Sequence, residues 1–203
     1  MGEAEQIARI VVGVSTRPHP YESENGDGWT MHEHKGVWRL AVIDGLGHGP
    51  EAAKATSAAR VVLDGAPHLD PVESIRHCHP MLAGTRGAAI AVASLDLPNG
   101  RLVYAGVGNV EARLRVGDDD RSLVSFRGIV GGAVPTIRPF GFTLPATDWI
   151  FIMHSDGVSA RFDLDRTIAK VDRFDPRALA DTLLAAHSRP TDDATVVVAI
   201  PAS

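Results

Sequence analysis

The sequence predicts an α+β fold in which antiparallel strands dominate, and three observations carry that expectation. Short apolar or alternating runs recur along the chain, most of them separated by only a few turn residues. Asn99-Gly100 stands between two such runs as a two-residue hairpin signal, and Lys35-Gly36 is a weaker one. The helical stretches are few and clustered, whereas a parallel sheet would need one after nearly every strand.

In chain order, the expected strands are Ile7–Val14, Trp29–His34, Val37–Ile43, Gly87–Leu95, Leu102–Gly108, Glu111–Val116, Ser122–Phe126, Asp148–Met153 and Ala194–Ile200. Helices are expected from Pro50 to about Asp64, from Asp70 to Ala83 and from Pro176 to about Ser188. Pro50, Pro71 and Pro176 each occupy a position where a first-turn proline is tolerated, and Asp70 and Asp175 are the expected N-caps. Asp118-Asp119-Asp120 reads as a solvated hairpin loop.

The 203 residues suit one domain, 1–203, large enough to bury its own core. A hydrophobic content of 44% with 22% charged residues is ordinary for a globular chain. The net charge of −5 gives no basic footprint for nucleic acid, and no Lys/Arg run marks a membrane surface. A single cysteine, Cys78, cannot form an internal disulfide and suits a reducing, cytoplasmic setting. No uncharged apolar run approaches the roughly 20 residues that span a bilayer.

The informative residues are acidic and sit at strand ends. Asp44-Gly45-Leu46-Gly47-His48-Gly49 closes the run Val37–Ile43, and Ser155-Asp156-Gly157 closes Trp149–Met153 with the same strand, Asp, Gly grammar. Thr191-Asp192-Asp193-Ala194-Thr195 opens the last strand, and Gly26-Asp27-Gly28 precedes Trp29. Any one of these could be an ordinary turn. Together they are oxygen ligands expected to converge on one edge, and an oxygen-rich, sulfur-free set favours magnesium or manganese over zinc or copper.

In that order, with Gly106-Val107-Gly108-Asn109 between them, these motifs resemble the PPM-type metal-dependent protein serine/threonine phosphatases. Within them the chain is most similar to the bacterial SpoIIE, RsbU and RsbX branch, above all its single-domain RsbX members, and the likeness runs from about Ile7 to Ile200. The resemblance implies a sandwich of two antiparallel β-sheets flanked by helices, with metals at one end. It implies two Mn²⁺ or Mg²⁺ ions bridged by Asp44, with the Gly45 carbonyl, Asp156 and Asp192 as further ligands and Asp27 reaching the metal through water. Asp193 is the neighbouring alternative to Asp192. The implied substrates are phosphorylated regulators of a bacterial stress-response pathway of the stressosome or partner-switching kind, such as STAS-domain proteins.

His48 is the candidate general acid, since an imidazole can deliver a proton to a leaving oxygen. However, the wider family carries its histidine two residues after the bridging Asp, where this chain has Leu46, so a loop-shaping role stays open beside the catalytic one. Arg17 is the nearest match to a phosphate-binding arginine of the family. Two other function classes also stay open: a catalytically inactive binding module on the same fold, and a small-molecule phosphomonoesterase.

Three further clusters read as structural. His32 and His34 share a strand face but lack a nearby third ligand. His77-Cys78-His79 falls on a helix, where neighbours point apart. His154-Ser155-Asp156 cannot form a triad, because adjacent residues of an extended chain do not face one another.

Overall fold

A computed structural model of the chain describes residues 9–133 and 137–202. In chain order the elements are β1 (Ile10–Arg17), β2 (Asp27–His34), β3 (Val37–Gly45), α1 (Pro50–Gly65), α2 (Pro71–Leu82), β4 (Ala88–Asp96), β5 (Arg101–Val107), β6 (Glu111–Val116), β7 (Asp119–Leu123), β8 (Phe140–Thr143), β9 (Trp149–His154), α3 (Leu164–Ile168), α4 (Pro176–His187) and β10 (Ala194–Pro201). Two five-stranded antiparallel sheets result, ordered β1-β10-β9-β6-β7 and β2-β3-β4-β5-β8.

The period-2 geometry of a strand explains how three apolar layers arise from two sheets. Along β9, Trp149, Phe151 and Met153 face the opposite sheet, whereas Ile150 and Ile152 face α3 and α4. Along β3, Leu40 and Val42 enter the same central layer, and Ala41 and Ile43 pack with α1 and α2 residues such as Ala59, Leu63 and Ile75. Strands apolar on both faces are what a sheet covered on both sides requires. This is the expected sandwich flanked by helices.

The N-caps fall where expected: the Asp70 carboxylate accepts from the backbone N–H groups of Val72 (2.8 Å) and Glu73 (3.0 Å), and that of Asp175 from Ala178 (2.9 Å). Helix α1 differs, beginning behind Gly49 with no side-chain cap.

Three local expectations need adjustment, and two elements were not expected. The first expected strand begins outside the described residues at Ile7, and its described part, β1, continues to Arg17. The strand expected over Ser122–Phe126 instead covers Asp119–Leu123, because Asp120 is not solvated loop but ion-paired to Arg113 on β6, with bonds of 2.6 and 2.5 Å; Asp118 alone keeps the exposed turn. Strand β8 and helix α3 have no counterpart among the expected elements. Among the described residues no helix is long and apolar enough to cross a membrane.

Candidate functional site

Both sheets present their acidic ends at the same end of the sandwich. In the β2–β3 register Asp27 lies directly opposite Asp44. Two like charges in that position repel each other, and nothing in strand pairing alone rewards the arrangement. From the other sheet, Ser155 and Asp156 follow β9, and Asp192 and Asp193 precede its neighbour β10.

Two glycines allow the loops to close this tightly. A Cβ on Gly157 would lie 1.7 Å from the Asp193 carbonyl oxygen, and one on Gly45 would lie 2.3 Å from the Ala52 carbonyl oxygen of α1. The Asp-Gly pairs therefore do more than turn the chain: they let one acidic loop sit against another, and α1 against the end of β3.

Ser155 joins the two sheets. Its hydroxyl donates to Asp27 Oδ2 (2.6 Å) and accepts from the backbone N–H of Thr195 (3.0 Å). Asp27 is 8% exposed, and burial, followed by the charges of Asp193 and Asp192, outweighs the Ser155 and Thr195 hydrogen bonds and raises its carboxyl to about 7. Asp44 lines the opening half-buried, yet its Oδ2 is closed off from solvent with no hydrogen-bond partner among the described residues. Burial, and then the charges of Asp27, Asp156, Asp192 and Asp193, push Asp44 up to about 9. Asp192 is raised as well, by burial and by Asp156.

Asp193 is the more deeply buried of the final pair, at 3% exposure. Its Oδ1 accepts from the His19 N–H (2.9 Å), and its Oδ2 has no partner among the described residues. Asp192 is half-buried and accepts from the Asp193 N–H (3.0 Å). Asp156 is held by the side-chain amide of Asn109, which donates to its Oδ2. The Gly106–Asn109 motif thus ends a strand and also supplies the amide that orients the Asp156 carboxylate, which sequence reading missed. Ser155 was missed in the same way. Its signal was adjacency to Asp156-Gly157.

The other sequence candidates have contacts of their own. Arg17 donates to the Arg189 carbonyl (2.7 Å), tying the end of β1 to the loop after α4. His32 bonds Asp64 of α1 (2.8 Å). Cys78 packs in the α1–α2 layer, where burial pushes its thiol up to about 12. His77 and His79 point apart, to the Glu73 carbonyl and the Gly131 N–H. His154 is buried beside Phe162, and burial lowers its imidazole below its ordinary range. His48 stands exposed on the loop after Gly45.

Buried, unpaired carboxylate oxygens on opposed carboxylates are costly unless a cation offsets them. The donor set is all oxygen and fits a hard divalent ion. Among the described residues no group of three or more His, Cys, Asp or Glu side chains stands close enough together to hold a metal ion.

Comparisons with known proteins bear on the family and the fold. The profile of the family described as Stage II sporulation protein E (SpoIIE) matches residues 34–200. The phosphoserine phosphatase RsbX of Bacillus subtilis (strain 168) is 27% identical over 85 residues, which are 42% of this chain and 43% of RsbX, so the aligned stretch spans under half of that relative. A structure from work on the bacterial stressosome as a modular system adapted to control secondary messenger signalling superimposes with a TM-score of 0.88 at 30% identity, over 94% of this chain and 99% of the other. RsbX in complex with magnesium superimposes at 0.84 and 21% identity, over 95% and 96%. The PP2C phosphatase domain of SpoIIE from Bacillus subtilis superimposes at 0.81 and 19%, over 96% and 63%. The two latter likenesses concern the fold. The family profile and the acidic motifs lead to one conclusion: the chain belongs to the SpoIIE family, a branch of the PPM-type phosphatases.

Proposed function

We propose that the chain is a Mn²⁺- or Mg²⁺-dependent phosphoserine/phosphothreonine protein phosphatase acting on phosphorylated regulators, of the STAS-domain kind, in a bacterial stress-response pathway. The observation that carries this reading is the opposition of Asp27 and Asp44 with a buried, unpartnered Asp44 oxygen, beside Asp156, Asp192 and Asp193. Similarity to RsbX and to a stressosome-associated structure supports the substrate class.

Asp44, the Gly45 carbonyl, Asp156 and Asp192 would hold two divalent ions, with Asp27 behind them. When bound, such ions supply charge neutralisation at the phosphoryl oxygens and a water acidified enough to attack at neutral pH. The chain's own groups hold the frame: Asn109 orients Asp156, and Ser155 fixes Asp27 across the two sheets. Neither donor belongs to a nucleophile elbow, which fits direct hydrolysis without a phosphoenzyme. His48 at the rim would give a proton to the leaving seryl oxygen.

The test is incubation of the full chain with phosphorylated STAS-type regulators, with and without manganese, read by intact mass. Loss of one phosphate only with manganese is expected. Hydrolysis of small phosphate esters alone would point to a metabolite phosphomonoesterase. Tight binding of the regulators without loss of phosphate would point to an inactive binding module.

A further inference from the structure

The segment between β1 and β2 carries no motif before Gly26, yet it folds over the loop that follows Asp44. The His19 N–H donates to the buried Asp193 carboxylate (2.9 Å), and the Glu22 N–H donates back to the His19 carbonyl (3.0 Å). A tight turn is thereby anchored on the acidic end itself. Two side chains of that turn meet His48. The His19 ring lies parallel to the His48 ring, with centroids 4.3 Å apart and planes 13° from each other. A Glu22 carboxylate oxygen lies 2.7 Å from His48 Nδ1.

The local backbone makes room for this contact. Gly49 has φ +72, and a Cβ there would lie 2.6 Å from the Glu22 carboxylate. This also accounts for a glycine where α1 could have used a capping Asp or Ser: a side chain at that position would displace Glu22. The Glu22 carboxylate is 26% exposed, against 50% for the His48 ring it holds.

A carboxylate only accepts, so Nδ1 of His48 is the donor in this bond. Nε2 is left without a hydrogen-bond partner among the described residues. A ring whose Nδ1–H is held by a carboxylate has a fixed tautomer, which is how other enzymes aim Nε2 at a reacting oxygen.

We propose that Glu22 and His19 are positioning residues for His48: Glu22 fixes its tautomer and His19 its ring plane, so that Nε2 delivers the proton to the leaving hydroxyl of a phosphorylated serine or threonine. This rests on the phosphatase reading above. In the step, a water oxygen forms the new P–O bond and its protons stay with the product phosphate, while the electron pair of the breaking P–O bond passes to the seryl oxygen. That oxygen takes the proton from Nε2, and His48 is left neutral with its Nδ1–H still on Glu22.

Two readouts test the proposal. In two-bond ¹H–¹⁵N imidazole spectra of the metal-free chain, His48 should be protonated at Nδ1 in the wild type and in Glu22→Gln, which keeps an acceptor oxygen. It should shift to the Nε2–H tautomer in Glu22→Ala. The same tautomer in the wild type and Glu22→Ala would overturn the orienting role. In manganese-supported turnover, Glu22→Ala should slow a phosphoseryl peptide by about 10–100-fold, a part of what a general acid contributes, with no comparable loss on an aryl phosphate. It should leave manganese affinity unchanged and add nothing in a His48→Ala background. His19→Phe, which keeps a flat ring, should retain activity that His19→Ala loses. Equal losses on both substrates, or none on either, would overturn proton delivery. A wild type inert toward both would overturn the phosphatase reading, and the spectra would still decide whether Glu22 sets the tautomer.

Discussion

The centre of the sandwich and its acidic end are built from the same strands, yet they follow opposite rules. In the centre, Trp149, Phe151, Met153, Leu40 and Val42 are buried as their chemistry favours. At the end, β2 and β3 continue in register to Asp27 and Asp44 and hold two carboxylates against each other. The first region stabilises the fold, and the second is carried by it. That division predicts that the two can be perturbed independently.

The largest effect on stability belongs to the centre. Phe151→Ala removes a fully buried ring between the sheets and should cost about 3–5 kcal/mol in chemical denaturation, with or without metal. A cost under ~1 kcal/mol would mean that the central layer is not the main source of stability.

A smaller effect of opposite sign belongs to the acidic end. Asp44 and Asp27 hold protons in the folded chain up to about 9 and about 7, against 3.8 for the ordinary side chain. A group whose folded pKa is raised contributes most below its unfolded value, and that contribution is lost as pH rises through the folded one. The metal-free protein should therefore become easier to unfold between about pH 4 and pH 9, while keeping its far-UV signature, because its core does not depend on the site. Asp44→Asn should raise the metal-free melting temperature, and more so at pH 8.5 than at pH 5. An equal or negative shift at both values would contradict the repulsion inferred for this end.

The same contrast explains how much could be read from the sequence. Long strands apolar on both faces, such as Val37–Gly45 and Trp149–His154, stand out from any surroundings, and their ends locate the carboxylates. Strand β8 does not stand out: it is four residues long, with two of them exposed, and has no run to detect. The acidic run at 118–120 misleads because Arg113 neutralises Asp120 from the neighbouring strand, a pairing visible only after folding.

At the site, an Asp beside a Gly at a strand end can be recognised locally. The contacts that orient those carboxylates cannot. Ser155 reaches Asp27 across 128 positions, Asn109 reaches Asp156 across 47, and Glu22 reaches His48 across 26. None of these pairs is linked by a period or a motif. The acidic residues were legible, and their supports were not.

The most direct test of the central claim is calorimetric titration of manganese into the wild type and into Asp44→Asn. If the opposed carboxylates are kept for a divalent ion, the wild type binds it and the variant, though more stable without metal, loses more than about tenfold in affinity, ~1.4 kcal/mol or more. Unchanged manganese affinity in a folded Asp44→Asn chain would contradict the account.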